Sequence, residues 1–329
     1  MKRLGLVALV LALLVPQLNA QRARRAELIV LDDAMHFFVL GDWGRNGYER
    51  QQEVADAMQA MAQRIEPEFI ISTGDNFYPD GVASVDDPLF QSSYEAIYRG
   101  DKLFEPWYCV MGNHDYRGDL SAQIEYTQRS RRWNMPALYW SDQFILEDDE
   151  TRLDLFFVDT SPLEDAYWTR AKYRDAVSQQ DTTAQMAWLE QALATSSAEW
   201  RLVVGHHPVY TSGKRRDDPP YVRGHLEPRF DASGVQAYFC GHEHDLQHQR
   251  PEHGMTHYFV SGAGSEVRPT GELEMTRFAQ SIAGFMAVSL LPNTMLVQAI
   301  SYQGEVLYQT AFDRTGAFVD LPTGSSEDE

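Results

Sequence analysis

Short apolar runs recur along this chain, and five of them lead into a glycine that is followed by Asp, Asn or His. Such runs are typical of buried strands, and the glycine marks the point where a strand opens into a loop. The five motifs are Gly41-Asp42-Trp43-Gly44, Gly74-Asp75-Asn76-Phe77-Tyr78, Gly112-Asn113-His114-Asp115, Gly205-His206-His207-Pro208 and Gly241-His242-Glu243-His244. In open α/β sheets, sites form at the carboxyl ends of strands. The pattern therefore predicts an α/β fold with a site built from five strand ends.

The stretches between these motifs carry helix and strand patterns. Tyr48 to Ile65 has apolar residues at helical spacing and is predicted to be a crossover helix between the first two motif strands. Gln91 to Tyr98 and Thr182 to Ala194 are predicted helices, the second with Asp181 as its N-cap. Near the C-terminus, three apolar runs separated by Pro-Asn and Gln-Gly turns predict an antiparallel meander. Ser161 to Asp181 has no clear periodicity and is expected to be an exposed loop.

The first residues resemble an export signal rather than part of the fold. Lys2-Arg3 forms a short basic region, Leu4 to Val15 an apolar core, and Leu18-Asn19-Ala20 a cleavage site of the small-residue type. The apolar core is shorter than the roughly 20 residues that span a bilayer, and no cysteine stands near the cleavage site to carry a lipid. We therefore expect a secreted or periplasmic protein without a membrane anchor. The predicted domains are a signal peptide (1–20), an N-terminal extension (21–35), one domain that carries the five motifs (36–315) and a polar tail (316–329).

Charge and cysteine content narrow the expected partners. The chain has 28 Lys and Arg against 48 Asp and Glu, a net charge of −20, which disfavours binding to nucleic acid or to anionic membranes. A small phosphorylated substrate stays compatible, because fields from surface carboxylates fade over about 8 Å at physiological salt. Export permits a disulfide between Cys109 and Cys240. Both lie in apolar runs, however, so buried free thiols are favoured.

The five motifs, in this order, resemble the calcineurin-like metallophosphoesterase superfamily and, more narrowly, the small tartrate-resistant type of purple acid phosphatase. The resemblance extends from about His36 to Phe312. Most of the superfamily has Asp-x-His in the first motif, whereas this chain has Gly44 in place of that His and offers Tyr78, the hallmark of the purple enzymes. The resemblance implies a two-sheet β-sandwich flanked by helices, with metals at the strand ends, in a protein expected to be a monomer.

The resemblance also implies two metal ions and a set of ligands. Carboxylate and phenolate oxygens suit a trivalent ion, whereas imidazole and amide donors suit Zn, Fe(II) or Mn. Paired metals can stabilise both the attacking and the leaving oxygen of a displacement. By resemblance, Fe(III) is bound by Asp42, Tyr78 and His244, the divalent ion by Asn113, His206 and His242, and both ions by Asp75.

Other residues near the motifs have a functional and a structural interpretation. His114 is expected to be catalytic, as a donor to the phosphate and the leaving oxygen, although a histidine that only packs is common. Asn113 and His207 are candidate substrate contacts, and His207 could instead only pack.

Charged residues beside the motifs are harder to place from the sequence. The run Lys214 to Arg216 is expected to be a solvated loop, with phosphate steering as the alternative. Asp115, Glu243 and Asp245 flank the expected ligands and are candidates for orienting the imidazoles.

The predicted function is that of a secreted acid phosphatase acting on small phosphorylated substrates or phosphoproteins. The resemblance implies that a metal-bound hydroxide at an Fe(III)–M(II) centre attacks phosphorus directly, and the chain has no Ser or Cys nucleophile motif that would give a phospho-enzyme. The alternatives are a phosphodiesterase or nucleotide pyrophosphatase on the same core, or a metal- or phosphate-binding protein without turnover.

Overall fold

Two mixed β-sheets flanked by helices make up the fold, seen in a computed structural model that describes residues 26–217 and 221–324. The strands are β1 (Met35–Leu40), β2 (Phe69–Ser72), β3 (Trp107–Cys109), β4 (Trp133–Asn134), β5 (Trp140–Ile145), β6 (Arg152–Phe157), β7 (Trp200–Val204), β8 (Ala237–Cys240), β9 (Leu246–Gln249), β10 (His257–Ser261), β11 (Thr276–Gln280), β12 (Gly284–Leu290), β13 (Thr294–Ser301), β14 (Val306–Asp313) and β15 (Phe318–Val319). The α-helices are α1 (Gln51–Ile65), α2 (Leu120–Tyr126), α3 (Ala171–Val177), α4 (Thr182–Thr195) and α5 (Tyr221–Ser233). Within the described ranges, no helix is both long and apolar enough to cross a membrane.

The order of the strands brings the five motifs to one edge of the sandwich. One sheet has the order β15-β14-β13-β12-β1-β2-β3-β4 and the other β11-β9-β10-β8-β7-β6-β5. Strands β1, β2 and β3 run parallel in the first sheet, as do β6, β7 and β8 in the second. Because parallel strands share one carboxyl edge, the loops after β1, β2 and β3 meet the loops after β7 and β8.

Alternate side chains of the central strand β1 pack into two different apolar cores. In β1, Phe37 and Val39 pack between the two sheets, while Phe38 and Leu40 pack against helix α1 and the aromatic residues beside it. All four side chains have no exposed surface. Since successive residues of a strand point to opposite faces, one short run supplies both cores. The predicted two-sheet sandwich with flanking helices is confirmed.

Most of the predicted elements are present, and two differ in kind. Helix α4 begins at the Asp181 cap, whose carboxylate accepts a hydrogen bond from the Ala184 amide, and the C-terminal meander is formed by β12, β13 and β14. Helix α1 begins three residues later than predicted, at Gln51. The helix predicted over Gln91 to Tyr98 is a π-helix over Phe90–Glu95. The segment from Ser161 to Asp181 is not an irregular loop, because it contains two 3₁₀ turns and helix α3.

Both ends of the described chain pair with the meander, and the two cysteines are not bonded to each other. The predicted signal peptide lies outside the described residues, and the N-terminal extension reaches the meander through a bridge between Ala26 and Val306. The expected polar tail differs at its start, because Phe318–Val319 pairs with β14. Cys109 and Cys240 are buried free thiols, as favoured above.

Candidate metal centre

The Tyr78 hydroxyl lies at the centre of a buried group of donors that come from three different loops. Its oxygen is 3.0 Å from Asp42 Oδ1, 3.0 Å from Asp75 Oδ2 and 3.1 Å from His244 Nε2. All four side chains are buried. The structure therefore brings together the residues expected to hold the trivalent ion.

The remaining candidates continue this group on the other side of Asp75. His206 Nε2 is 3.5 Å from Asp75 Oδ1, and His242 Nδ1 is 3.2 Å from His206 Nε2. Asn113 is buried at the same place, and its amide nitrogen donates a hydrogen bond to the Tyr173 hydroxyl at 3.0 Å. All seven residues expected as ligands thus lie in one cluster, with Asp75 between its two halves.

The backbone is strained at three of these positions. Asp42, Asp75 and His242 have φ values of 59°, 51° and 69°, in the left-handed region that non-glycine residues seldom adopt. Such conformations cost about 1–3 kcal/mol each and concentrate at functional sites. Gly112 permits the close approach of two loops, since a Cβ there would lie 2.1 Å from the Asp75 amide nitrogen. The fold holds these donors in position at a conformational cost.

Position 44 has no room for the histidine that most of the superfamily carries there. A Cβ on Gly44 would lie 1.8 Å from the carbonyl oxygen of Asn76. The same loop, two residues further on, delivers the Tyr78 hydroxyl to the cluster. The close packing of the loops after β1 and β2 therefore excludes a histidine at position 44 and brings the Tyr78 phenol to the cluster.

The electrostatics of the cluster suit cations. Burial, followed by the charges of Asp42 and Asp75, raises the pKa of Tyr78 well above its ordinary value, and burial raises the pKa of Asp42 to about 7. Burial also lowers the pKa of His244 to about 3 and that of His242 well below its ordinary value, so both imidazoles are neutral donors. Buried carboxylate and phenol oxygens together with neutral imidazoles are the donors that metal ions recruit. The residues present fit a metal centre.

His114 lies beside this cluster but is engaged by other groups. Its Nδ1 is 2.5 Å from the Pro79 carbonyl oxygen, and its Nε2 is 3.1 Å from Arg117 Nη2. A neutral ring with these contacts donates from Nδ1 and accepts at Nε2, and burial lowers its pKa to about 4. Neutral His114, the expected proton donor, therefore accepts a hydrogen bond from Arg117 at Nε2. His114 can donate from Nε2 only when its ring is protonated.

His207 packs rather than facing the pocket. Its Nδ1 is 2.8 Å from Thr160 Oγ1 and its Nε2 is 3.0 Å from the Tyr167 hydroxyl, in a side chain that is 2% exposed. Because both ring nitrogens have partners inside the protein, the structure does not support the expected substrate contact. Tyr167, to which His207 is bonded, lines the pocket in its place.

Asp115 does not orient an imidazole, as its position had suggested. Its carboxylate accepts hydrogen bonds from the backbone amides of Gly112, Asn76 and Phe77 at 2.8, 3.0 and 3.1 Å. It therefore joins the loop after β2 to the loop after β3.

Glu243 and Asp245 also fix loops rather than imidazoles. Glu243 accepts hydrogen bonds from the backbone amides of Lys214 and Arg215, and its carboxylate pairs with the Arg215 guanidinium at 3.0 Å. Asp245 accepts a hydrogen bond from the Gln247 side chain at 2.7 Å. In the basic loop, Arg215 favours the alternative of phosphate steering, because its half-buried side chain lines the pocket.

A pocket of about 230 Å³ opens above the cluster. Several of its lining residues carry no sequence signal. Arg117 could have been found, because it stands one helical turn after His114, but Tyr173 and Arg268 come from distant segments. The pocket is lined by Asp75, Asn113, His114, Arg117, Tyr167, Arg170, Lys172, Tyr173, Arg215, His242, His244 and Arg268.

Comparison with known proteins agrees with this geometry. The model of the calcineurin-like phosphoesterase family matches residues 35–246. Purple acid phosphatase 4 of Arabidopsis thaliana is 35% identical over 92% of this chain and 91% of its own length. Human tartrate-resistant acid phosphatase type 5 is 32% identical over 85% of this chain and 91% of its own. The chain belongs to the calcineurin-like phosphoesterase family, among the purple acid phosphatases. It is thus a member of a family of hydrolases, and the family resemblance noted in the sequence is confirmed.

Solved structures show that purple acid phosphatases and more distant proteins share this fold. GAP50 of Plasmodium, described as an anchor in the inner membrane complex, superposes with a TM-score of 0.74 at 24% identity, over 85% of this chain and 89% of its own. The purple acid phosphatase PPD1 of yellow lupin seeds superposes with a TM-score of 0.65 at 14% identity, over 90% of this chain and 57% of its own. At these identities the likeness concerns the fold alone.

Proposed function

We propose that this purple acid phosphatase hydrolyses phosphate monoesters, using Fe(III) together with a divalent ion that is Fe, Zn or Mn. The observation that carries the proposal is the convergence of seven buried donors beneath a pocket lined by cationic side chains. The kinship with purple acid phosphatases supports it.

We assign the two ions to the two halves of the cluster. When bound, such a pair supplies positive charge against phosphate oxygens and an activated water at low pH. The trivalent ion takes the phenol side and the divalent ion the imidazole side, because hard oxygen donors favour the higher charge. The proposed ligands are Asp42, Tyr78 and His244 for Fe(III), Asn113, His206 and His242 for the divalent ion, and Asp75 for both.

The side chains around the pocket bind and orient the ester. Arg117 is fixed by the Tyr173 hydroxyl at 2.7 Å and directs its guanidinium to His114, so both can contact phosphate oxygens. Hydrolysis joins a water oxygen to phosphorus and breaks the ester P–O bond, and the leaving oxygen takes up a proton. No serine or cysteine is among the described residues that line the pocket, which favours direct attack by water.

The size of the pocket favours monoesters over bulky diesters. Its volume of about 230 Å³ is below the roughly 300–1,000 Å³ of sites that enclose a drug-sized ligand. A phosphate group and the adjoining atoms fill it, and the rest of the substrate remains at the rim.

Metal analysis, a visible spectrum and two model substrates test the proposal. We expect two metal ions per chain, a visible charge-transfer band that Tyr78→Phe abolishes, and faster turnover of p-nitrophenyl phosphate than of bis(p-nitrophenyl) phosphate. Tyr48→Phe is the matched control, because Tyr48 is 74% exposed. Faster turnover of the diester would establish a phosphodiesterase, and a metal-replete protein without turnover would establish a binding protein.

We also propose that the protein is exported and acts on small phosphorylated molecules, without binding nucleic acid. The pattern of residues 1–20 and the net charge of −20 support this. Expression of the full chain in a bacterial host, followed by N-terminal sequencing of the extracytoplasmic fraction, should give a mature protein that begins at Gln21. An uncleaved chain confined to the cytoplasm would contradict the proposal.

A further inference from the structure

Five cationic side chains line the pocket of a strongly acidic protein. They come from four separate segments of the chain, so they are not a single charged run. Most charged side chains that line the pocket are thus opposite in sign to the net charge of −20, and such a lining attracts anionic ligands. The five residues are Arg117, Arg170, Lys172, Arg215 and Arg268.

Two of the five are already committed to partners inside the protein. Arg117 pairs with Asp80 at 3.3 Å and donates to the Tyr173 hydroxyl, and Arg215 pairs with buried Glu243 at 3.0 Å. These contacts fix both guanidinium groups at the wall of the pocket, where they suit the phosphate that is hydrolysed.

The other three lack such partners. Among residues 26–217 and 221–324, no carboxylate lies within 4.0 Å of the charged groups of Arg170, Lys172 or Arg268. Arg170 and Lys172 are exposed at the start of α3, over the rings of Tyr167 and Tyr173 at 5.9 and 4.7 Å. Three cations that line one pocket without an ion pair to a carboxylate repel one another, so a bound anion would stabilise them.

We propose that Arg170, Lys172 and Arg268 form a second anion subsite, and that the preferred substrates are small molecules with at least two phosphate groups. One phosphate occupies the pocket, and the second is held at the rim by the three cations. Arginine suits this role because its planar fork forms paired hydrogen bonds with phosphate oxygens. The pocket volume agrees, since it leaves the remainder of the substrate at the rim. This inference rests on the proposed phosphatase function.

Fructose 6-phosphate and fructose 1,6-bisphosphate test the subsite, because they differ by one phosphate on the same sugar. Phosphate release by the metal-loaded enzyme gives kcat and KM for each at 20 and 200 mM NaCl. We expect kcat/KM for the bisphosphate to be at least about 10-fold higher at low salt, mostly through KM, and the ratio to fall at high salt.

A double variant of Arg170 and Lys172 tests whether these two residues cause the preference for the bisphosphate. Arg170→Gln with Lys172→Gln should lower the preference for the bisphosphate about 10-fold, to near parity, in line with the loss of charge-assisted hydrogen bonds. Arg268→Gln, in a different segment, should lower it as well. Arg174→Gln is the matched control, because this exposed residue of α3 pairs with Asp175 and does not line the pocket.

The outcomes separate the subsite from the proposed function. Equal kcat/KM values for the two sugars, or a preference that neither rim variant changes, would overturn the subsite while leaving the phosphatase intact. If neither sugar nor p-nitrophenyl phosphate is hydrolysed, the proposed function fails. Calorimetric titration with the same two compounds then decides the subsite alone, through tighter binding of the bisphosphate or its absence.

Discussion

At the scale of single residues, the ring of Tyr78 contacts a cation, Arg45, that the sequence motifs did not reveal. The Arg45 guanidinium lies 3.8 Å from the centre of the Tyr78 ring, and it is held there by Glu266 at 2.6 Å and Ser265 at 3.1 Å. A cation over an aromatic face lowers the energy of electrons in that ring. Outer contacts of this kind tune a metal site through its ligands.

The first prediction concerns the colour of the metal-loaded protein. If Tyr78 binds iron as proposed, Arg45→Gln should shift the charge-transfer band to longer wavelength, because the donor orbital of the phenolate rises once the cation is removed. The visible spectrum of the oxidised protein, at equal iron content, measures the shift. Arg50→Gln is the control, since Arg50 lies 4.8 Å over Tyr302. An unchanged band in Arg45→Gln would show that the stacked cation has no electronic effect.

The second prediction separates His114 from the metal ligands. His114→Ala should keep both ions and lower kcat on phenyl phosphate by about 10²–10⁴-fold, the range for a lost acid–base or charge-stabilising group. The loss should be smaller on p-nitrophenyl phosphate, whose leaving group needs little protonation. Asp75→Ala should instead lose metal, because it removes a carboxylate shared by both halves of the cluster.

Metal content and turnover of both variants decide between the two roles. His253→Ala is the control, because this ring is largely exposed and outside the pocket. Loss of metal from His114→Ala would make the residue structural. Full activity of His114→Ala on phenyl phosphate would contradict a catalytic role.

At the scale of elements, the centre depends on how closely the loops after β2 and β3 approach. Asp115 ties the two loops together through backbone amides, and Gly112 leaves no side chain between them. A Cβ on Gly112 would also lie 2.2 Å from Asp75 Oδ1. The absence of a side chain is therefore as necessary for the site as the donors themselves.

The third prediction follows from that packing. Gly112→Ala should lower metal content and activity together, because the added methyl group displaces Asp75 from the cluster. Gly224→Ala in α5 is the matched control, since a Cβ there meets no atom within 4 Å. It should retain both ions and stabilise the protein by about 0.5–1 kcal/mol, as expected for glycine in a helix. A fully metal-loaded Gly112→Ala protein would contradict the steric argument.

At the scale of the whole molecule, two buried histidines link the sheets. His248 in β9 and His257 in β10 are 2.9 Å apart through their ring nitrogens, and His248 Nδ1 contacts the Tyr308 hydroxyl of β14 at 2.9 Å. The His257 ring stacks on Phe312, also of β14, with centres 3.8 Å apart. The C-terminal meander is thus joined to the second sheet by polar groups inside an apolar interface.

The fourth prediction is a loss of stability in acid through this pair. Burial lowers the pKa of His257 to about 3, and that of His248 well below its ordinary value. Below pH 6.5 the unfolded chain binds protons that the folded protein excludes. Each such histidine therefore lowers the free energy of unfolding by about 1.4 kcal/mol per pH unit, as the pH falls towards the pKa that the histidine has in the folded protein.

Urea unfolding at pH 7 and pH 5 measures this contribution. The wild type should lose about 2 kcal/mol more than His257→Gln between these pH values, because the variant has no imidazole to protonate in the unfolded state. The comparison between variants cancels the acid sensitivity of the metal ligands. An equal loss in both proteins would show that His257 is not buried as a neutral ring.

Local patterns in the sequence account for those features of the protein that depend on neighbouring residues. Periodicity placed helix α4 with its Asp181 cap and the meander, and a repeated strand-glycine-donor pattern located the seven clustered residues. Gly44 and Tyr78 distinguished the purple acid phosphatases from their superfamily. These features are readable because hydrophobic spacing, capping and donor chemistry act over a few residues.

Contacts between distant segments follow from the folded structure and not from local patterns. It turned His207 into a packed residue, gave Asp115 and Glu243 backbone partners, and brought Arg170 and Arg268 to one pocket. A charged residue in a loop has the same local pattern whether it faces water or a substrate. Its neighbours in the fold come from distant segments, so only the pairing order of the strands and the packing of the two sheets fix which residues meet.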